Sequence, residues 1–159
     1  MRTRILAAAA FSVAATILAS VAIAGTSARP TQQRIAIDLG EGPGFVLRPL
    51  TSGPIRRDAG TWSACCRTDR SVTIDGRSHV LDDPTLTFTS KRGRFTWHAH
   101  IAFVDRDDDY TVAIGVWKIV SGTGGYAHLE GHGRQVFVSR TDGNNNLADR
   151  AEGLMGLRP

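Results

Sequence analysis

Histidines, cysteines and carboxylates are the residues here whose types and spacing can do chemistry. His98 and His100 stand two apart, and His128 and His132 stand four apart. On an extended strand, residues two apart project from one face. Several imidazoles on one face can hold zinc or copper, and a single imidazole can act as a general base near neutral pH. If the two carrying strands are neighbours, the four histidines form one cluster. That makes His98, His100, His128 and His132 the candidate metal ligands of a chain otherwise expected to need no metal or cofactor. The competing reading rests on Trp97, Ala99, Ile101 and Phe103, which define an apolar face and leave His98 and His100 on the opposite, polar one.

Cys65 and Cys66 are adjacent and are the only cysteines. Neighbouring strand residues point to opposite faces, so a bond between them requires strong local distortion. Four readings stay open: two free or structural thiols, a vicinal disulfide in a bulge or turn, a bridge to another chain, or metal ligands alongside the histidines.

Asp105, Asp107, Asp108 and Asp109 form an acidic run with calcium-loop spacing. However, Tyr110 occupies the position that needs glycine, and Val116 the position that needs glutamate. A solvated hairpin tip is the simpler reading. Asp82-Asp83-Pro84 reads as a turn. No G-x-S-x-G elbow places a serine nucleophile.

The elements that position these residues read as β throughout. Ile35, Ile37 and Leu39 alternate with Ala36 and Asp38, and Gly40 to Gly44 ends that strand. Short strand signals follow at Phe45–Leu50, Gly60–Cys66, Ser71–Asp75, Ser78–Leu81 and Thr85–Thr89. Longer ones follow at Phe95–Phe103, Tyr110–Val120, Ala127–Val138 and Leu147–Leu157. Asp75-Gly76 and Lys91-Arg92-Gly93 read as hairpin tips. No segment carries a helical apolar period over three turns. Many short strands with glycine inside them predict a single antiparallel barrel.

The N-terminus differs in kind. Arg2 and Arg4 precede an uncharged, Ala-rich stretch from Ile5 to Ala24, with small residues before Gly25 and Arg29 as two candidate cleavage sites. This predicts a signal peptide and cleavage region over 1–28, a flexible leader over 29–34, and a barrel domain over 35–157. About 20 apolar residues can just span a bilayer, but alanine is weakly hydrophobic and no basic stop-transfer cluster follows. Secretion with no permanent membrane anchor is therefore expected.

The full chain of 159 residues has 19 Lys+Arg against 15 Asp+Glu; without Arg2 and Arg4 the balance is 17 against 15. The arginines alternate with aspartates instead of forming a stripe, which argues against nucleic-acid binding. The sequence leaves the oligomeric state open.

Trp117 to Gly133 reads W-K-I-V-S-G-T-G-G-Y-A-H-L-E-G-H-G. Gly122, Gly124 and Gly125 permit positive φ at a tight strand connection, Tyr126 can pack over that turn, and Gly131 and Gly133 let the return strand bend around a barrel corner. This hairpin resembles that of the allene oxide cyclase and dirigent barrel superfamily. Ala59-Gly60-Thr61-Trp62 and the two long strands that follow are also similar in order and spacing to small secreted bacterial members, and the resemblance spans most of 35–156.

It implies an eight-stranded barrel with a central cavity and a small apolar ligand. No matching polar motif carries the family's catalytic residues across. A binding module for a small apolar molecule is the leading expectation. The alternatives are an inert structural or interaction barrel, and a cofactor-independent isomerase or cyclase-like enzyme drawing on His98, His100, Asp75 or Glu130.

Overall fold

Alternation of large and small side chains becomes strand after strand. The computed structural model describes residues 31–40, 42–106, 110–140 and 146–158. They form β1 (Gln33–Leu39), β2 (Gly44–Pro49), β3 (Asp58–Cys65), β4 (Arg70–Ile74), β5 (Arg77–Asp82), β6 (Thr85–Ser90), β7 (Gly93–Arg106), β8 (Tyr110–Gly124), β9 (Leu129–Arg140) and β10 (Asn146–Leu157). No helix occurs among the described residues.

Eight strands follow one another around the barrel as β1, β2, β3, β6, β7, β8, β9 and β10, and the β10–β1 ladder closes it. The predicted eight-stranded antiparallel barrel is thus the fold. β4 and β5 are an added hairpin that extends the wall where β5 joins β7 at Leu81↔Ala102 and Asp82↔Ile101. Its tip is Asp75-Gly76, both at positive φ, as a two-residue connection demands.

Two breaks separate this hairpin from the barrel. On one side residues 66–69 lie between β3 and β4; on the other, Asp83 and Pro84 lie between β5 and β6. Pro84 has no N–H to give a ladder, while its carbonyl accepts from the Ala99 N–H at 3.0 Å.

The lumen takes the apolar phase of each strand. Ile35, Ile37, Phe45, Leu47, Phe88, Phe95, Trp97, Trp117 and Met155 are all buried. Phe88 stacks on Phe95 with centroids 4.6 Å apart, meets Trp97 edge-on at 4.4 Å, and Trp97 stacks on Trp117 at 4.8 Å. Aromatic rings therefore run across the lumen in contact, each contributing on the order of 2–3 kcal/mol through burial. Where the resemblance implies a central cavity, this part of the barrel is filled by rings.

Three sequence expectations gain detail. β1 begins at Gln33, two residues before the expected start at Ile35 and inside the expected leader. Gln33 is buried, its Nε2 donates to the Thr51 and Ile55 carbonyls, and its Oε1 accepts from the Ile55 N–H. Gly131 and Gly133 lie inside the β9–β10 ladder, which runs through them in register. A Cβ at Gly133 would lie 2.5 Å from the Trp117 ring, and one at Gly131 2.8 Å from Met155, so these glycines make room for lumenal side chains. Of the three glycines expected to turn the β8–β9 connection only Gly124 has positive φ, and the second left-handed residue there is His128; Gly122 is needed because its Cβ would meet the Tyr126 carbonyl.

Candidate functional site

The outward phase of β7 to β9 carries a mixed basic and apolar surface. Cross-strand register puts His98, Lys118 and His132 in one row, with His100, Val116 and Arg134 in the next. Ile114, Val116 and Val136 on this wall are 49%, 52% and 47% exposed, so they belong to no core. They floor a groove of about 570 Å³ rimmed by Arg70, Asp83, His100 and Arg134. A second groove of about 530 Å³ runs between His98, Lys118, Val120 and His132, and a third of about 640 Å³ crosses β9 and β10 beside Glu152 and Leu154. Arg134 borders all three.

His98 and His100 share the outward face, as the apolar phase of β7 requires. Their rings meet edge-on at 5.0 Å. His98 Nδ1 is 3.3 Å from the Thr85 hydroxyl, and His100 Nδ1 is 2.6 Å from an Asp83 carboxylate oxygen. That hydrogen bond holds the Asp83 carboxyl below its usual range, with the nearby Arg70 adding to the effect. The four-histidine cluster does not form. β8 lies between β7 and β9, so Lys118 separates His98 from His132, and His128 lies in the turn before β9 with φ of 63°. Among the described residues no group of three or more potential ligands is placed to hold a metal ion.

The enzyme candidates are dispersed as well. Asp75 is exposed at the β4–β5 tip. Glu130 pairs with Arg158. Neither they nor the two β7 histidines face the lumen. Asp107, Asp108 and Asp109 lie outside the described residues.

Cys65 ends β3 opposite Thr85, and Cys66 follows with φ of 60°. Both are exposed, free thiols with Sγ atoms 2.6 Å apart. The adjoining Cys66 thiol pushes the Cys65 thiol above its ordinary value. Thr85 lies between Cys65 and His98 in the sheet, so the thiols and the histidines are about 10 Å apart and cannot share one ion.

Buried polar groups are the features the sequence did not single out. Gln135 donates to Asp149 at 2.7 Å, and burial pushes the Asp149 carboxyl up to about 7 against the lowering effect of that bond. Asp82 is buried and accepts from exposed Arg67 at 2.8 Å, while its Oδ1 has no partner. Asp58 accepts from Tyr126 and Ser90. Their positions on the lumenal phase of known strands were the available signal. Gln135 follows Gly133 at period two, Asp149 precedes Ala151, and Asp82 faces Ile101.

Among the described residues no helix is long and apolar enough to cross a membrane. Comparison of the chain with protein-family models, with curated proteins and with solved structures finds no match.

Proposed function

We propose that this is an exported binding module that holds a small, largely apolar molecule bearing an anionic group on the outer wall of β7 to β9. The carrying observation is the 570 Å³ groove, whose floor exposes Ile114, Val116 and Val136 and whose rim includes Arg134. Its size falls within the few-hundred to thousand Å³ of small-molecule sites, and apolar lining with a few polar groups is their usual composition. Neither Lys118 nor Arg134 has an ion-pair partner among the described residues, so both are available to an anion. The allene oxide cyclase and dirigent resemblance implies a barrel, and a fold carries no activity with it. The N-terminal sequence pattern supports export.

Titration with decanoate, followed by calorimetry and by thermal unfolding, tests the reading. Saturable binding with a raised melting temperature is expected, and Val116→Asp abolishes it without unfolding the barrel, since Val116 is half exposed. Failure of decanoate and of a panel of aliphatic, terpenoid and aromatic carboxylates to stabilise the protein would overturn it.

The same exposed valines and isoleucine favour one other reading, an interaction barrel whose outer wall meets a protein. Concentration-dependent self-association that Val116→Asp removes, without any ligand binding, would select it.

A further inference from the structure

The junction of β3 and β4 contains a local conformation that the barrel itself does not require. Cys65 keeps strand geometry and pairs with Thr85 on β6. At Cys66 the chain turns to φ of 60°, a region that residues with a Cβ enter at a cost. Glycine or asparagine would make that turn more cheaply. The turn cancels the strand alternation that would send the two side chains to opposite faces. Both thiols instead face solvent together, 2.6 Å apart, against about 2.05 Å in a disulfide. Two adjacent, solvent-reachable thiols already in contact need only a small displacement to bond.

We infer that Cys65 and Cys66 form a redox site that closes to a vicinal disulfide by exchange with an external disulfide and reopens with external thiol. The oxidant is a low-molecular-weight or protein disulfide. One cysteine thiolate attacks a sulfur of that disulfide, forming a mixed disulfide and releasing one external thiolate. The second cysteine thiolate then attacks the mixed disulfide at the first cysteine's sulfur and displaces the other external thiolate. Two electrons pass to the external disulfide, and the two protons from the cysteines end on the released thiolates. The products are one Cys65–Cys66 disulfide and two external thiols.

Competition with the alternative outcomes favours the ring. Once one cysteine holds a mixed disulfide, the neighbouring thiol is tethered at contact distance, so its attack is intramolecular and outruns a second external encounter.

The experiment equilibrates the full chain in buffers spanning reduced to oxidised glutathione, quenches in acid, alkylates and reads intact mass. A single transition from two alkylated cysteines to none is expected, with the unalkylated product lighter by two hydrogens and monomeric on a non-reducing gel. Cys65→Ser and Cys66→Ser each yield one glutathione adduct instead, and the double serine variant, both positions being exposed, keeps its far-ultraviolet spectrum and shows no transition. Two alkylatable thiols at every ratio, two glutathione adducts on the unmodified sequence, or a covalent dimer would each overturn the inference.

Discussion

The Tyr126 hydroxyl donates to the Asp58 carboxylate at 2.5 Å and thereby ties the β8–β9 connection to the start of β3, 68 residues away in sequence. Asp58 also accepts from the Ser90 hydroxyl at 2.6 Å and the Ala59 N–H at 2.9 Å. Burial by itself would raise the Asp58 carboxyl, but these bonds outweigh it and hold it below its usual value. The same burial and the adjacent carboxylate push the Tyr126 hydroxyl well above the ordinary phenol range, so it remains a donor at all working pH. Tyr126 meanwhile packs edge-on against Phe95 at 5.0 Å, so one side chain closes the barrel end and locks two distant segments.

Tyr126→Phe keeps the ring and removes the donor. A loss of about 1.5–3 kcal/mol in urea unfolding is expected, the range for a hydrogen bond to a charged group. The pH profile carries the sign. A carboxyl lowered in the folded state adds stability that is present above its unfolded value near 4 and is lost as pH falls through the lower folded value. In the variant this acid-side loss shrinks, because less of the lowering remains. An unchanged acid limb would show that Ser90 and the Ala59 N–H suffice.

Asp149 gives the opposite slope. Its folded value of about 7 lies above the unfolded value near 4, so the native state binds the proton more tightly. The stability linked to it is fully present below about pH 4 and is lost as pH rises through about 7. Asp149→Asn keeps an acceptor for Gln135 and cannot ionise. Denaturation between pH 4 and 8 should therefore show a flatter profile for the variant and greater stability at pH 8, by on the order of 1–3 kcal/mol. Parallel profiles would mean that Asp149 ionises without penalty in the folded protein.

Period-two patterning made most strands legible, since Ile35–Leu39, Phe95–Phe103 and Tyr110–Val120 each name a buried face without outside help. Asp75-Gly76 was legible because that turn chemistry is local. The histidine arrangement was not. Each pair's spacing gives at most a shared face, while their separation depends on β8 lying between β7 and β9, a non-local fact. The buried Asp149–Gln135 pair was hidden for a related reason, since polar residues on a strand default to the outside until neighbouring registers assign their phase. The outer-wall groove arises from three strands at once, and no single segment announces it.

Trp117 explains why Gly133, and with it Gly153, has no side chain. Cβ atoms at Gly133 and Gly153 would lie 2.5 Å and 2.6 Å from the same edge of the Trp117 ring, and both would also press on backbone across the β9–β10 ladder. Because backbone cannot yield as a flexible side chain does, Gly133→Ala should destabilise by about 1–3 kcal/mol and alter the tryptophan near-ultraviolet signal. Combining it with Gly153→Ala should cost less than the sum, as both crowd one ring. Additive losses would show that each glycine is needed for its own backbone contact alone.

Arg134 offers the sharpest separation between an anionic and a purely apolar ligand, because it borders all three grooves while the apolar floor lies beside it. A guanidinium facing a carboxylate makes charge-assisted hydrogen bonds that a hydroxyl cannot reproduce. Arg134→Gln should weaken decanoate about tenfold, equivalent to about 1.4 kcal/mol, and leave decanol within about twofold. Raising salt should weaken decanoate for the unmodified protein and much less for the variant, since the pair is solvent-accessible and screened. Equal loss of both ligands would instead assign Arg134 to shaping the wall, and insensitivity of both would move the anionic group's partner to Lys118 or the histidine row.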